Sequence, residues 1–237
     1  MKKLILTSFV AVAAITGAAN AAEFKPYVSE KISFGQMDLT NAKSTAQASN
    51  TADHTNATGK DAKDTFWGSK TAVGVSFPVE KIYGSVRAEL EFGINTKAEM
   101  DIENSIATSE KYATSIKTQT YGLNAYYDIN TNSAFTPYIG AGIALAHIAG
   151  NTEYKSLTAP GAGTAGDIKS DNFGWNVGAG VAYAITEALS ADLSYRYSNL
   201  GSVKDELKGY GAFAGNNYDM EAKLSSHEVL LGVRYAF

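Results

Sequence analysis

Polar and apolar residues alternate with period two in eight stretches, approximately 26–35, 67–78, 82–94, 119–129, 137–148, 173–185, 189–198 and 224–237. Within each stretch one phase is mainly apolar, as in Ile139-Ala141-Ile143-Leu145 and Phe173-Trp175-Val177-Ala179-Val181-Tyr183. The opposite phase is small, polar or charged. Such alternation predicts strands with one face in oil and one in a polar environment.

Charge separates the two phases sharply. The apolar phase carries Glu30 as its single charge, whereas the other carries Lys31, Lys70, Arg87, Glu89, Glu91, Asp128, Asp192, Arg196, Glu228 and Arg234. Aromatic residues decide which face is outside. With strand direction alternating and both termini on one side, Phe77, Tyr127, Tyr183, Tyr235 and Phe237 fall at the terminal end. Phe34, Trp67, Phe92, Tyr121, Phe173, Trp175, Tyr195 and Tyr197 fall at the other, with aliphatic residues between. Two aromatic belts around an aliphatic band describe a lipid-facing barrel wall, and an enclosed soluble core has no reason to sort rings by depth. The predicted fold is an all-β, membrane-spanning, eight-stranded antiparallel up-and-down barrel.

Connections agree with this reading. Those after segments two, four and six are short, and those after one, three, five and seven run to about 20 residues or more. All long loops therefore leave at one end, which in outer-membrane barrels is extracellular. Residues 38–64 contain Leu39 as their only large aliphatic and no Phe, Trp or Tyr, and are expected to be a mobile solvated loop.

Lys2 and Lys3 followed by an apolar run to Ile15 and by Ala19-Asn20-Ala21 read as a secretory signal peptide over 1–21, leaving a barrel domain at 22–237. Removing Lys2 and Lys3 leaves 18 basic against 24 acidic side chains, a net charge of about −6. That balance lacks the basic stretch that tracks a phosphate backbone, so nucleic acid is not an expected partner. The absence of cysteine excludes a disulfide scaffold.

The run from Gly180 to Tyr197, followed by Gly232 to Phe237, resembles the last two strands of the outer-membrane protein A barrel and of opacity-type surface proteins. Residues Tyr27 to Phe34, with Lys31 pointing inward, resemble their first strand. The resemblance implies a surface protein whose barrel anchors four long loops that meet host or environmental ligands. The signal peptide implies passage through the export translocon, and the terminal Phe237 pattern resembles the signal for insertion by the barrel-assembly machinery. A small porin and a structural envelope protein are the alternatives, with a lipid A-modifying barrel enzyme more remote.

An eight-stranded barrel is just wide enough for side chains to fill it. Five basic and five acidic inward groups are expected to neutralise one another, because an unpaired buried charge costs several kcal/mol. Adjacency and height suggest Asp192 with Arg234, Arg196 with Glu228, Lys70 with Glu91, and Arg87 with Glu89. Gly140, Gly142, Gly174, Gly178 and Gly180 share the inward phase and leave room for bulky partners such as Tyr126 and Tyr138.

Other motifs carry less chemistry. Gly161-Ala162-Gly163-Thr164-Ala165-Gly166 spells a dinucleotide fingerprint, but Pro160 precedes it and no helix pattern follows, so it reads as a glycine-rich loop. His227 has Ser225, Ser226 and Glu228 nearby, yet alternation leaves only Ser225 on its face. No catalytic, cofactor or metal residue is assigned. Tyr210, Phe213 and Tyr218 are expected as aromatic contacts of the fourth loop.

Overall fold

The computed structural model describes residues 25–47, 54–58, 60–79, 83–103, 111–155, 163–210 and 217–237. Ten strands are present among them: β1 Lys25–Gln47, β2 His54–Thr58, β3 Ala62–Val79, β4 Gly84–Asn95, β5 Ala98–Glu103, β6 Lys111–Ile129, β7 Phe135–Lys155, β8 Gly163–Ala184, β9 Leu189–Tyr210 and β10 Asn217–Ala236. Eight of these form the staves of a closed antiparallel barrel in the order β1-β3-β4-β6-β7-β8-β9-β10. β1 pairs with β10 from Tyr27↔Ala236 upward and closes the ring. The Phe237 amide donates to the Pro26 carbonyl at 3.0 Å, so the final residue belongs to the seam. The short β2 and β5 extend two of the hairpins by pairing with β1 and β6.

The staves are longer than the alternating segments. β8 and β9 each have 22 residues. At about 3.3 Å per residue and a tilt near 40°, such a strand rises roughly 55 Å, about twice the ~25 Å of an apolar barrel wall. The extra length lies on the long-loop side. Much of 38–64, expected as a mobile loop, is therefore strand: β1 continues to Gln47, β2 occupies His54–Thr58 and β3 begins at Ala62. Gly163–Gly166 likewise open β8 rather than lying in a loop. The physical reason is an apolar core above the belt that the lower-barrel phase does not reveal.

That core points inward. Met37, Leu39, Phe66, Met100, Ile116, Ile148, Ile168 and Leu224 pack together with almost no exposure. Their outward neighbours are polar, including Gln36, Lys117, Asn151 and Lys169. Two strands reverse phase to build it. Gly201, at φ 83°, sits where the β9–β10 register shifts, so Asp192, Arg196 and Leu200 face in below it while Val203, Asp205 and Leu207 face in above. Asn41, at φ 54°, marks the corresponding shift on β1. Glycine suits this left-handed position because it has no Cβ to clash.

Candidate functional site

The lumen and the projecting collar are the two places where function could reside. In the lower barrel the lipid face carries Ile32, Leu90, Leu145, Phe173 and Leu231, each about 60 % exposed. Phe34 and Trp67 meet edge to face at 5.0 Å, Trp175 and Tyr197 at 5.5 Å, and Phe92 lies 5.2 Å from Tyr121. These pairs form the outer belt. At the opposite rim Phe77, Tyr127, Tyr183, Tyr235 and Phe237 form the inner one, with Phe135 packed at a tilt against Tyr183, ring centres 5.0 Å apart.

The lumen is filled by ion pairs, some within or between neighbouring strands and one reaching across it. The Arg196 guanidinium grips both Glu91 oxygens, at 2.5 and 2.9 Å, from the opposite wall. Lys70 lies 3.2 Å from Glu228. Arg87 binds Asp128 through Nε at 2.8 Å and Glu89 through Nη1 at 3.1 Å. Tyr138 donates to Asp192 at 2.6 Å, and Arg234 stands 4.0 Å from Asp128. The pairings expected for Arg196 with Glu228, Lys70 with Glu91 and Asp192 with Arg234 are thus replaced. Long side chains in a narrow barrel bridge non-adjacent strands, so strand adjacency is a poor guide to partners there.

Aromatic rings complete the plug. Arg87 sits over Tyr126 at 4.4 Å and Tyr138 at 4.8 Å, and Lys31 over Tyr126 at 5.5 Å. Glycine makes these placements possible: a Cβ at Gly180 would stand 2.6 Å from the Tyr138 ring, and one at Gly140 would collide with Tyr126. A void of about 20 Å³ beside Glu91, Asn176 and Arg196 is large enough for one water. The apolar core of the collar caps the network from above.

On the outside of the collar, β6–β9 and Lys97 beside them present a polar, concave face of about 1190 Å³ lined by Lys97, Lys117, Lys169, Lys204 and Lys208, with Asn151, Glu153, Asp167 and Glu206 among them. Lys97 pairs with Glu99 at 2.8 Å. Glu99 and Asp101 lie on β5, whose pairing with β6 makes the second hairpin's charged stretch a strand extension. Inside the same collar Asp205 is buried beneath Gly166 and beside Thr152. Burial pushes its carboxyl above the ordinary aspartate value of 3.8.

His227 stands in the outer belt with both ring nitrogens engaged. Tyr195 Oη lies 2.6 Å from Nδ1, and Asp38 lies 3.5 Å from Nε2, while Tyr197 packs at 5.0 Å. Asp38 was invisible to sequence reasoning because it fell in the supposed loop. Its signal would have been the continuation of β1 beyond Phe34. His147 pairs with Asp171 at 2.5 Å on the other side of the barrel. The side chains of Tyr210, Phe213 and Tyr218, like residues 1–21, lie outside the described residues.

Known proteins share this architecture. A model of the outer membrane protein β-barrel domain matches residues 5–237. The outer membrane protein PagN of Salmonella typhimurium is 33% identical over 182 residues, covering 72% of this chain and 73% of PagN. The opacity protein opA50 of Neisseria gonorrhoeae is 32% identical over 136 residues, so this chain spans about half the length of that relative and half of its own is matched. Among solved structures, the outer membrane protein OprG of Pseudomonas aeruginosa superposes with a TM-score of 0.50 at 17% identity, over 88% of this chain and 95% of OprG. By the family match, the relatives and the closed ring of lipid-facing strands, the chain belongs to the outer-membrane β-barrel family and is an outer-membrane surface protein.

Proposed function

We propose that the protein is a non-enzymatic adhesin of opacity type, in which the plugged lower barrel is an anchor and the collar with its loops binds ligands outside the cell. The collar carries this reading. A strand length about twice the membrane wall has no use in anchoring, while a rigid projecting platform positions variable loops for contact. The lysine-lined concavity on its outer face supplies charged, accessible surface at the level where an external partner would arrive.

The filled lumen argues against the porin alternative, since ion pairs occupy the cross-section from Arg87 to Arg196. Lipid A modification finds little support in His227, whose ring is fixed between Tyr195, Tyr197 and Asp38 as a belt residue. In this reading cofactors play no part. Export with cleavage after Ala21 and insertion through the barrel-assembly machinery complete the proposal. The Phe237 seam bond gives the last residue a role in closing the ring, and deleting Phe237 should reduce heat-modifiable, inserted protein.

The decisive experiment compares adherence of cells carrying the intact protein with cells carrying a version whose loops are shortened and whose Lys117, Lys169 and Lys204 are replaced by glutamate. Loss of adherence with normal surface abundance is expected. Equal adherence by both, or stable large conductance steps from purified protein in planar bilayers, would overturn the assignment.

A further inference from the structure

On β6, β7 and β8 the outward side chains form three rows where the lipid wall passes into the collar. Tyr121, Leu145 and Phe173 stand in register at the outer belt. The next row is Gln119, His147 and Asp171, in which His147 and Asp171 hold each other at 2.5 Å. Above it Lys117 and Lys169 flank Ala149, each in register with it. Two strand spacings separate these lysines, about 10 Å, and the small Ala149 leaves the space between them open. Four residues of a tilted strand place the lysine row roughly 10 Å above the belt.

Lys63 and Lys97 pair with carboxylates, but Lys117, Lys169 and, on β9, Lys204 are exposed and make no ion pair among the described residues. One row farther out the same face turns acidic: Asp167 stands opposite Asn151, and Glu206 lines the concavity beside them. An anion is therefore favoured on the membrane side of the face. Beneath the lysines the wall itself is hollowed, a concavity of about 850 Å³ lined by Leu90, Phe92, Tyr121, Leu123, Ile143 and Leu145. Unpaired cations and an apolar hollow thus share the strands β6 and β7 and the flank of β8.

We propose that this column binds a phosphorylated glycolipid of the outer leaflet, of the lipid A class, with an acyl chain in the hollow and a phosphate between Lys117 and Lys169. Height sets the occupant. Aromatic belts mark the headgroup level, so acyl chains lie against the hollow and headgroups lie just above the belt. Basic clusters at a membrane surface attract anionic headgroups, and ammonium groups bind phosphate as point charges. A zwitterionic phospholipid brings its own cation and gains less from two lysines. Asp171, the carboxylate between the hollow and the lysines, is already held by His147.

Protein purified from outer membranes in mild detergent is assayed by mass spectrometry for bound glycolipid and for glycerophospholipid. Lys117→Gln with Lys169→Gln should lower bound glycolipid about tenfold, the factor carried by loss of a hydrogen bond to a charged group. Lys63→Gln with Lys223→Gln, which removes the same charge from β3 and β10, should change it within about twofold. Ile143→Trp, which fills the hollow and leaves the lysines in place, should also lower it, with heat-modifiable mobility showing that the barrel is folded. The lysine pair lies outside the membrane segments and decides the matter if Ile143→Trp does not insert. Delipidated protein should bind bisphosphorylated lipid A about tenfold more tightly than its dephosphorylated form. Undiminished glycolipid in either folded variant, an equal loss in the control pair, equal binding of the two lipid A forms, or glycerophospholipid as the lipid lost would overturn the proposal. Retention is read on purified protein with no external ligand, so its failure and a failure of adherence are separate results.

Discussion

On β7 the lower residues Ile143 and Leu145 face lipid while Gly142 and Ala144 face the lumen; a little higher, Ala146 and Ile148 face in and His147 and Asn151 face out. One strand, with an unbroken alternation, passes from a wall that is apolar outside to a collar that is apolar inside. The difference teaches that alternation sets which residues share a face, and the surrounding medium sets which face is greasy. Below the belt the medium is hydrocarbon and the charges retreat to the lumen. Above it the medium is water and the aliphatic residues retreat instead.

Each half has its own weak point, and substitutions should separate them. The largest effect belongs to the lumen. Arg196→Ala strands Glu91 without its bidentate partner and should cost about 3–5 kcal/mol, whereas Arg196→Met with Glu91→Leu should cost much less. Equilibrium unfolding by urea in lipid vesicles reads both, and equal losses would show that the pair is not what the lumen depends on.

Arginine scanning along β7 sharpens the comparison directly. Ile143→Arg, on the lipid wall, should cost about 2–4 kcal/mol. Ala149→Arg, six residues higher and facing outward on the collar, should stay within about 0.5 kcal/mol. Similar costs at the two positions would move the membrane boundary away from the belt.

The seam between β8 and β9 is a smaller test. Their ladder lapses between Ala165 and Trp175, and Asn172 Nδ2 bridges it by donating to the Leu200 and Ser202 carbonyls at 3.0 and 2.7 Å. Asn172→Ala should destabilise the collar by about 1–3 kcal/mol, seen as faster amide exchange at Leu200–Ser202 with the lower barrel still protected. Uniform acceleration throughout would mean that the two regions unfold as one.

The smallest expected effect is the acid response of the collar. Because burial raises the folded-state value of Asp205 above 3.8, the folded collar holds this proton more tightly than the unfolded chain does. The resulting stabilisation is fully present below 3.8 and is lost as pH rises through the folded-state value. Amide protection in the collar, taken relative to the intrinsic exchange rate at each pH, should therefore rise in acid, and Asp205→Asn should remove that rise. An unchanged pH profile in the variant would assign the response to another group.

The lower barrel was readable residue by residue because lipid demands a nearly pure apolar phase, and the runs from Phe173 to Tyr183 and from Val229 to Phe237 supply it. The collar was harder to read. Its apolar positions, such as Met37, Leu39 and Phe66, are spaced among Thr, Asn and Lys and sit on the opposite phase, so a search continuing the wall pattern loses the strand at Phe34. Asn41 and Gly201 then shift that phase once more on β1 and β9. The charge partners failed for another reason. Ten inward charges were evident, but the choice of Glu91 for Arg196 depends on distances across the lumen that no local spacing contains.

By itself, then, the amino-acid order determined the number of membrane staves, the face each turns to lipid, the belts that set their depth and the balance of charge within. Period-two alternation and hydrocarbon solubility are local properties, and they suffice for that. Only the closed tertiary structure decided how far the staves continue beyond the membrane, which ions meet inside, and that Asp38 comes to stand beside His227. Those outcomes depend on curvature, register and the width of the lumen, which arise when the last strand joins the first.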